Sequence, residues 1–307
     1  MVASSYGRWI FSTASARFDL EREAVERSLD AICQTRLADF PETVAAAMSY
    51  GLKSPGKRLR PILTVLAYEA CGGKSDVMLL ACGPELIHAY SLIHDDLPCM
   101  DDDDMRRGRP TVHKVHGARA AIVAGLAMIP LAAAVVRDGC DRIHSSPATQ
   151  TKILRILLSA AGEAGMIGGQ AMDLAGEGLA LPLEEREQIH SAKTAALIAA
   201  SLQIGGLAAE ASTEDTAALG RFGRAIGLAF QIMDDVLDVT STPGVLGKTT
   251  GRDAALGKSS YPALLGVEAA RKRAGALVED GSAALGRRDL LTPGLSQVAN
   301  FMLTRNS

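Results

Sequence analysis

The sequence predicts an all-α protein, a single-domain helical bundle. Three observations favour this fold class. Apolar residues recur at helical spacing along most of the chain, and no segment shows the two-residue alternation of a half-buried strand. Aromatic residues are scarce at 4%, whereas hydrophobic residues as a whole reach 48%. A chain rich in Ala, Leu and Gly and poor in aromatic residues is typical of packed helices rather than of a β-sandwich.

Ten helices are predicted, separated by turn-forming segments. Turn signals stand at SPGK (54–57), CGG (71–73), SSP (145–147), LPL (181–183) and STPG (241–244). The expected helices span about 19–38, 41–52, 60–71, 76–97, 117–136, 149–175, 184–208, 214–239, 261–285 and 295–304.

The chain of 307 residues shows no shift of composition that would mark a domain boundary. Residues 19–307 are therefore expected to form one all-α domain. Residues 1–18, MVASSYGRWIFSTASARF, are rich in Ser and Ala and carry two arginines but no acidic residue. A short organellar targeting segment has this composition too, but a flexible N-terminal tail is the simpler expectation.

Composition and charge exclude some classes of function. The net charge of −3 argues against a surface that binds nucleic acid. No apolar run reaches the eighteen or so residues of a membrane span. The five cysteines form no CxxC pair and are odd in number, which is typical of a reduced, intracellular protein. We therefore expect a cytoplasmic location without a membrane span.

An acidic segment follows the predicted helix 76–97. Six of the ten residues from 95 to 104 are aspartate. Pro98 should stop the helix near Leu97, so that Asp101 returns to the side of Asp95. A solvated acidic loop is the alternative interpretation. An EF-hand is excluded, because counting from Asp101 puts Met105 and Val112 at ligand positions.

A second acidic stripe lies on the predicted helix 214–239. Gln231, Asp234, Asp235 and Asp238 recur at helical spacing on an otherwise apolar helix. Carboxylate ligands without His or Cys suit magnesium, which bridges to substrate phosphates. An exposed pair of carboxylates one turn apart is the alternative.

Basic residues stand at loops and helix ends, where they could hold phosphate groups. They are Lys57, Arg58 and Arg60, then Arg106, Arg107 and Arg109, then Lys248, Arg252 and Lys258. Two further motifs remain open between function and packing. The glycines of GMIGGQAMDLAG (165–176) could serve either close helix packing or a functional site that contains Gln170 and Asp173. Lys193 could either extend its ammonium group to solvent or bind a substrate.

These motifs together resemble those of the trans-polyprenyl diphosphate synthases, and most closely the bacterial farnesyl diphosphate synthases. The resemblance extends from about Glu42 to Asn306. It is carried by GKRLRP, HAYSLIHDDLPCMDDDDMRRGRPT, GGQAMDL, KTAALI, FQIMDDVLDV and LGKTTGRDAALGKSSYPALLG. The resemblance implies an isoprenoid synthase bundle whose two aspartate motifs face each other across a deep apolar cavity.

The family resemblance also implies a role for each motif residue. The metal ligands would be Asp95, Asp96, Asp101, Asp234 and Asp238, holding three magnesium ions, with manganese as an alternative. The allylic diphosphate would contact Arg106, Lys193, Lys248 and Lys258, and isopentenyl diphosphate would contact Lys57, Arg60, His88 and Arg107. Thr194 and Gln231 would lie near the developing cation, and Asp235 counts with them among the catalytic residues. Residues 240–260 would form a lid.

The resemblance further implies a reaction and a product. An allylic diphosphate, dimethylallyl or geranyl, would ionise with the help of magnesium and alkylate isopentenyl diphosphate. In this family the residues four and five positions before the first aspartate, here Ser91 and Tyr90, help to form the floor of the chain pocket. A bulky Tyr90 is typical of enzymes that stop at farnesyl diphosphate. A geranylgeranyl diphosphate synthase is the alternative, since DDLPCM is also found there.

Two departures and two other functions complete the prediction. Leu126 stands where many relatives carry Asp, and Pro55 replaces a glycine. A terpene cyclase needs no second diphosphate site, and a silent subunit of a heteromeric synthase should have lost aspartates, so both are less favoured. A homodimer is expected from the resemblance.

Overall fold

Helices form nearly all the regular structure in this computed structural model, which describes residues 13–240 and 260–304. In chain order, the helices are α1 (Thr13–Arg36), α2 (Glu42–Leu52), α3 (Leu59–Ala70), α4 (Met78–Asp95), α5 (Val112–His116), α6 (Ala118–Arg142), α7 (Pro147–Ala161), α8 (Met166–Ala175), α9 (Leu183–His190), α10 (Ala196–Ala208), α11 (Thr213–Thr240), α12 (Tyr261–Leu265), α13 (Val267–Gly286) and α14 (Pro293–Thr304). A π-helical turn, Ser191–Ala195, joins α9 to α10. The prediction of an all-α fold is confirmed.

Helix boundaries differ from the expected ones where glycine or a π turn intervenes. The expected helix 149–175 is two helices, because Gly162 and Gly165 both adopt non-helical backbone angles between α7 and α8. The N-terminal end of α7 is fixed by Ser146, whose hydroxyl accepts a hydrogen bond from the backbone of Thr149. The first helix begins at Thr13, before the expected start at residue 19.

A very short β-hairpin is the one departure from helix in the described part of the chain. Strands β1 (Met105–Arg106) and β2 (Arg109–Pro110) pair antiparallel. Arg107 and Gly108 between them both have positive φ, of 54° and 75°, which matches the turn that joins two-residue hairpins. Two residues are too few to produce a recognisable alternation in the sequence.

The core consists of two clusters that share their central helices. One cluster unites side chains from α1, α2, α4, α6 and α7. The other unites α11 with α12, α13 and α14. Helices α3 and α10 contribute to both clusters, so they lie at the centre of the bundle.

Helices α4 and α6 pack antiparallel at close range because glycines lie between them. A methyl group at Gly139 would lie 2.5 Å from the backbone nitrogen of Leu80, and one at Gly125 would lie 2.1 Å from Nε2 of His94. The long helix α6 thus fixes both ends of α4, including the end that carries the first aspartates.

Helix α6 also bears on the expectation about membrane spans. Among the described helices it is long and apolar enough to cross a membrane, although 44% of its most apolar window is buried inside the protein. A core helix meets the same criteria, so the helix is weak evidence of a span. Its exposed apolar residues are Ile122, Val123 and Leu126.

Candidate active site

The acidic segment after α4 folds back on the helix that precedes it. The backbone N–H of Asp101 donates to the carbonyl of Asp95 at 2.9 Å, and those of Met100 and Asp102 donate to the carbonyl of Leu97 at 2.8 and 3.1 Å. The predicted return of Asp101 to the side of Asp95 is therefore confirmed. The helix ends at Asp95, just before Pro98 would break it.

Charge in this loop is partly buried, which makes the anionic state of Asp95 costly. Burial raises the pKa of the Asp95 carboxyl to about 6; Lys193 opposes that shift and Asp101 adds to it. Asp96 is 2% exposed and accepts a hydrogen bond at 2.5 Å from Nε of Arg106. The interpretation as a fully solvated acidic loop is wrong for Asp95 and Asp96.

Oxygen ligands of this type fit a hard divalent cation. Asp95 and Asp101 are tied through the backbone, and a nearby cation would remove the penalty that burial places on the Asp95 carboxylate. The described residues contain one group of three potential ligands within 4.8 Å of one another, Asp102, Asp104 and His113. Asp104 in that group is paired with Lys114 at 2.6 Å, and both aspartates are exposed.

The second aspartate motif occupies the C-terminal half of α11. Asp234 and Asp238 are half-buried and lie one turn apart on the same face. Asp235 is different: it is 1% exposed, and its two oxygens accept hydrogen bonds from Nε2 of Gln231 (3.4 Å) and from the backbone N–H of Tyr261 (3.0 Å). Its carboxylate therefore attaches the start of α12 to α11.

The π-helical turn Ser191–Ala195 connects the two motifs. The hydroxyl of Thr194 donates to Oε1 of Gln231 at 3.2 Å, and Gln231 lies about one turn before Asp234 on α11. Lys193 donates to Oδ2 of Asp173 at 2.8 Å, and its charge acts on Asp95. Widened turns of this type occur frequently at functional sites.

Lys193 is held as a cation although its side chain is only 24% exposed. Burial would lower the pKa of its ammonium, but Asp173 and Asp95 raise it by more. Asp173 is 7% exposed and also accepts a hydrogen bond from Nη1 of Arg186 at 3.1 Å. The interpretation of Lys193 as a lysine that extends to solvent is therefore wrong. The Gln170–Asp173 segment does more than pack helices, because Asp173 holds this lysine.

A cluster of cations lies beside α4, about two turns before the aspartates. Burial lowers the pKa of the Arg60 guanidinium to about 10, an effect that Glu85 opposes and Arg107 strengthens. Burial, Arg60 and Arg107 likewise hold the pKa of His88 well below its usual value. Nε of Arg60 is buried and has no hydrogen-bond partner among the described residues. An anionic ligand would satisfy this donor.

Two loops bring the cluster together. Arg107 of the β-hairpin donates from Nη1 to the carbonyl of Pro55 at 2.7 Å. A methyl group at Gly56 would lie 2.6 Å from the same nitrogen, so the arginine packs directly against this glycine. Lys57 is exposed, and its Nζ lies 5.1 Å from the centre of the Phe301 ring of α14.

The two expected chain-length residues lie on different faces of α4, because Ser91 is one turn before Asp95 whereas Tyr90 is about 140° round the helix from it. Tyr90 is 7% exposed, and its ring packs edge-on against His94 with centroids 5.0 Å apart. His94 lies 3.1 Å from the carbonyl of Ile122 on α6, within hydrogen-bond distance. Ser91 is half-buried and donates to the carbonyl of His88 at 2.9 Å.

Some expected site residues fall outside the described residues, and two residues of the site were not predicted. Lys248 and Lys258 are outside the described residues, as is Arg252. Glu85 and Arg186 were not predicted as parts of the site. Glu85 lies one turn before His88 on the same face of α4, and that spacing is a signal that could have identified it.

Comparisons with known proteins identify the family of the chain. A family model described as Polyprenyl synthetase matches residues 41–284. The chain is 44% identical over 268 residues to a farnesyl diphosphate synthase of Escherichia coli (strain K12), covering 86% of this chain and 89% of the relative. It is 42% identical over 254 residues to the large subunit 1 of a chloroplastic heterodimeric geranylgeranyl pyrophosphate synthase of Arabidopsis thaliana, covering 81% and 68%.

A solved structure shares the whole architecture. It is a geranyltransferase from Helicobacter pylori complexed with magnesium and isoprenyl diphosphate, which is 32% identical to this chain. The TM-score is 0.78, and the match covers 96% of this chain and 98% of the other.

Proposed function

This chain belongs to the polyprenyl synthetase family, and on that premise we propose that it condenses isopentenyl diphosphate with dimethylallyl or geranyl diphosphate to give farnesyl diphosphate. The chain is a short-chain trans-prenyltransferase with the isoprenoid synthase fold. The substrates, the product and the role of each residue are the proposed part.

One observation carries the proposal: two clusters of opposite charge lie along the same helix. The acidic loop follows the end of α4 at Asp95, and about two turns earlier the cations Arg60 and Arg107 act on His88, whose pKa they and burial lower. A terpene cyclase, which ionises a single diphosphate, has no need of the second cluster. Nε of Arg60, which has no hydrogen-bond partner in the part of the chain that the structure describes, supports a diphosphate there.

The first diphosphate, that of the allylic substrate, is assigned to the acidic side. Asp95, Asp96, Asp101, Asp234 and Asp238 are proposed to hold three magnesium ions, with manganese as the alternative. Magnesium, when bound, supplies positive charge that neutralises the leaving diphosphate and so favours ionisation of the allylic C–O bond. Lys193 and Arg106 add fixed cations, and we assign Lys248 and Lys258 to the same diphosphate.

The proposed condensation breaks one C–O bond and forms one C–C bond. The allylic C–O bond breaks and diphosphate leaves; the terminal alkene carbon of isopentenyl diphosphate forms the new C–C bond; a proton is then lost to the released diphosphate. Thr194 and Gln231, joined by a hydrogen bond at 3.2 Å, place oxygen atoms near the developing cation. Apolar walls keep water away from that cation in the proposed deep cavity.

The choice of farnesyl diphosphate rests on Tyr90. Its buried ring is held against His94, so it could limit the length of a growing chain. Geranylgeranyl diphosphate is the second candidate product, because a relative at 42% identity is a subunit of a geranylgeranyl pyrophosphate synthase.

A product assay tests the proposal. Purified protein, magnesium, dimethylallyl diphosphate and labelled isopentenyl diphosphate should give a fifteen-carbon product on chromatography. The absence of any elongated product at saturating magnesium would refute the synthase activity. A dominant twenty-carbon product would refute only the assignment of chain length.

We further propose a homodimer that acts in the cytoplasm. Ile122, Val123 and Leu126 are 40%, 48% and 56% exposed and form an apolar stripe on α6. A second copy of the chain would cover this stripe. The cytoplasmic location accords with five free cysteines. The flexible tail and targeting alternatives concern residues 1–18, of which 1–12 lie outside the described residues.

A further inference from the structure

The loop that carries Lys57 is held in an unfavourable backbone conformation. It connects α2, which ends at Leu52, to α3, which begins at Leu59. Its last residue, Arg58, adopts the left-handed region with φ of 50° and ψ of 35°. A residue with a long side chain is uncommon there, so the surrounding structure must hold it.

The side chain of Arg58 supplies that restraint. It is 2% exposed, and its three nitrogens make five hydrogen bonds. Two go from Nη2 to the carbonyls of Leu52 (3.0 Å) and Ser54 (2.8 Å), which closes the loop on itself. Each nitrogen of the guanidinium is therefore engaged within the protein.

Two carboxylates fix the guanidinium from different helices. Glu85 of α4 is 3% exposed and accepts from Nη1 at 2.9 Å. Glu26 of α1 accepts from Nε at 2.7 Å and from Nη2 at 3.2 Å, and its side chain is 41% exposed. This two-point geometry needs the planar fork of arginine, which lysine lacks.

Glu85 also connects the loop to the cation cluster. It lies one turn before His88 on α4, and its charge acts on both Arg60 and Arg107. The same carboxylate thus anchors the loop and balances part of the positive charge that would face a diphosphate.

We infer that Arg58, held between Glu85 and Glu26, is a positioning residue that fixes the loop so that Lys57 and Arg60 bind the diphosphate of isopentenyl diphosphate together. The inference rests on the proposed function. It assigns no contact with substrate to Arg58, and it makes α1, through Glu26, part of the support of the second substrate site.

Steady-state kinetics with each substrate varied in turn test the inference. We expect Glu85→Gln and Arg58→Lys to raise KM for isopentenyl diphosphate by about tenfold or more, since each weakens charge-assisted hydrogen bonds. KM for the allylic substrate and kcat should change less than about threefold. A general loss of structure would instead move all three parameters.

Glu26→Gln is the decisive variant, because its half-exposed side chain can be altered without burying a new group. It should raise KM for isopentenyl diphosphate by about threefold to tenfold with an unchanged thermal midpoint. Glu23→Gln, on the same helix and with a 63% exposed side chain, is the control and should match the parent.

The outcomes separate the two hypotheses. If the parent enzyme elongates isopentenyl diphosphate and folded Glu26→Gln and Glu85→Gln keep its KM, the positioning role of Arg58 is wrong. If the parent shows no elongation, the proposed function itself has failed.

Discussion

At the scale of single residues, the aspartates of the two motifs differ in what their carboxylates already do. Asp96 is bonded to Arg106, and Asp235 is bonded to Gln231 and to the backbone of Tyr261. Asp95 lies where burial raises the pKa of its carboxyl, and Asp234 is half-buried on the face of α11 that follows Gln231. Asp95 and Asp234, one from each motif, are proposed metal ligands and serve to test metal-assisted ionisation.

Asp95→Ala or Asp234→Ala should lower kcat by about two to three orders of magnitude, because each removes charge stabilisation in the transition state. The measurement is the initial rate at saturating substrates and magnesium. Asp104→Asn is the control, since Asp104 is exposed and pairs with Lys114. A near-normal rate for either alanine variant would remove that residue from the metal site.

Tyr90→Ala should lengthen the product beyond fifteen carbons, because it removes the ring that packs against His94. The measurement is the chain-length distribution on reversed-phase chromatography. Tyr90→Phe keeps the ring and should keep the parent product. An unchanged distribution for Tyr90→Ala would exclude Tyr90 as the limit on chain length.

At the scale of secondary structure elements, the π-helical turn between α9 and α10 depends on a glycine of the neighbouring helix. A methyl group at Gly169 would lie 2.3 Å from the backbone nitrogen of Lys193. Helix α8 can approach the turn only with glycine at this position, and the approach brings Asp173 to Lys193.

Gly169→Ala should therefore displace the turn and lower kcat by about tenfold or more, as Lys193 and Thr194 leave their positions. Gly275→Ala on α13 is the matched control, because a methyl group there meets nothing within 4 Å. It should leave kcat unchanged and stabilise the helix by about 0.5–1 kcal/mol. Equal kinetics for both variants would contradict the importance of the turn.

The sequence predicts an element well when residues close to it in the chain determine its structure. The return of Asp101 to Asp95 follows from Pro98 and the end of α4, both visible in the sequence. The π turn depends on how the neighbouring helix α8 approaches, which spacing along one helix does not express, and the break between α7 and α8 depends on the backbone angles that Gly162 and Gly165 adopt. Glu85 looked like one acid on an apolar helix, since its partners Arg58 and Arg60 come from a distant loop.

At the scale of the whole molecule, the exposed apolar stripe of α6 predicts the assembly. Leu126 stands where many members of the family carry aspartate. Its side chain is 56% exposed, so this difference does not alter the packing of the buried core. Its position on the stripe instead adds apolar surface for a second copy.

Leu126→Glu should shift the protein from dimer to monomer in light scattering after size-exclusion chromatography, because it would bury a charge in the interface. Leu20→Glu, at a residue 65% exposed on α1, is the control and should leave the mass unchanged. A parent protein that is monomeric at micromolar concentration would contradict the proposed homodimer.

Ile122 relates this assembly to the chemistry. Its side chain belongs to the apolar stripe, while its carbonyl lies 3.1 Å from Nε2 of His94, the residue just before Asp95. The proposed dimer surface and the first aspartate are thus one hydrogen bond and one peptide unit apart. If the dimer forms there, turnover per subunit should fall on dilution below its dissociation constant, so that enzyme concentration itself becomes a variable of the rate.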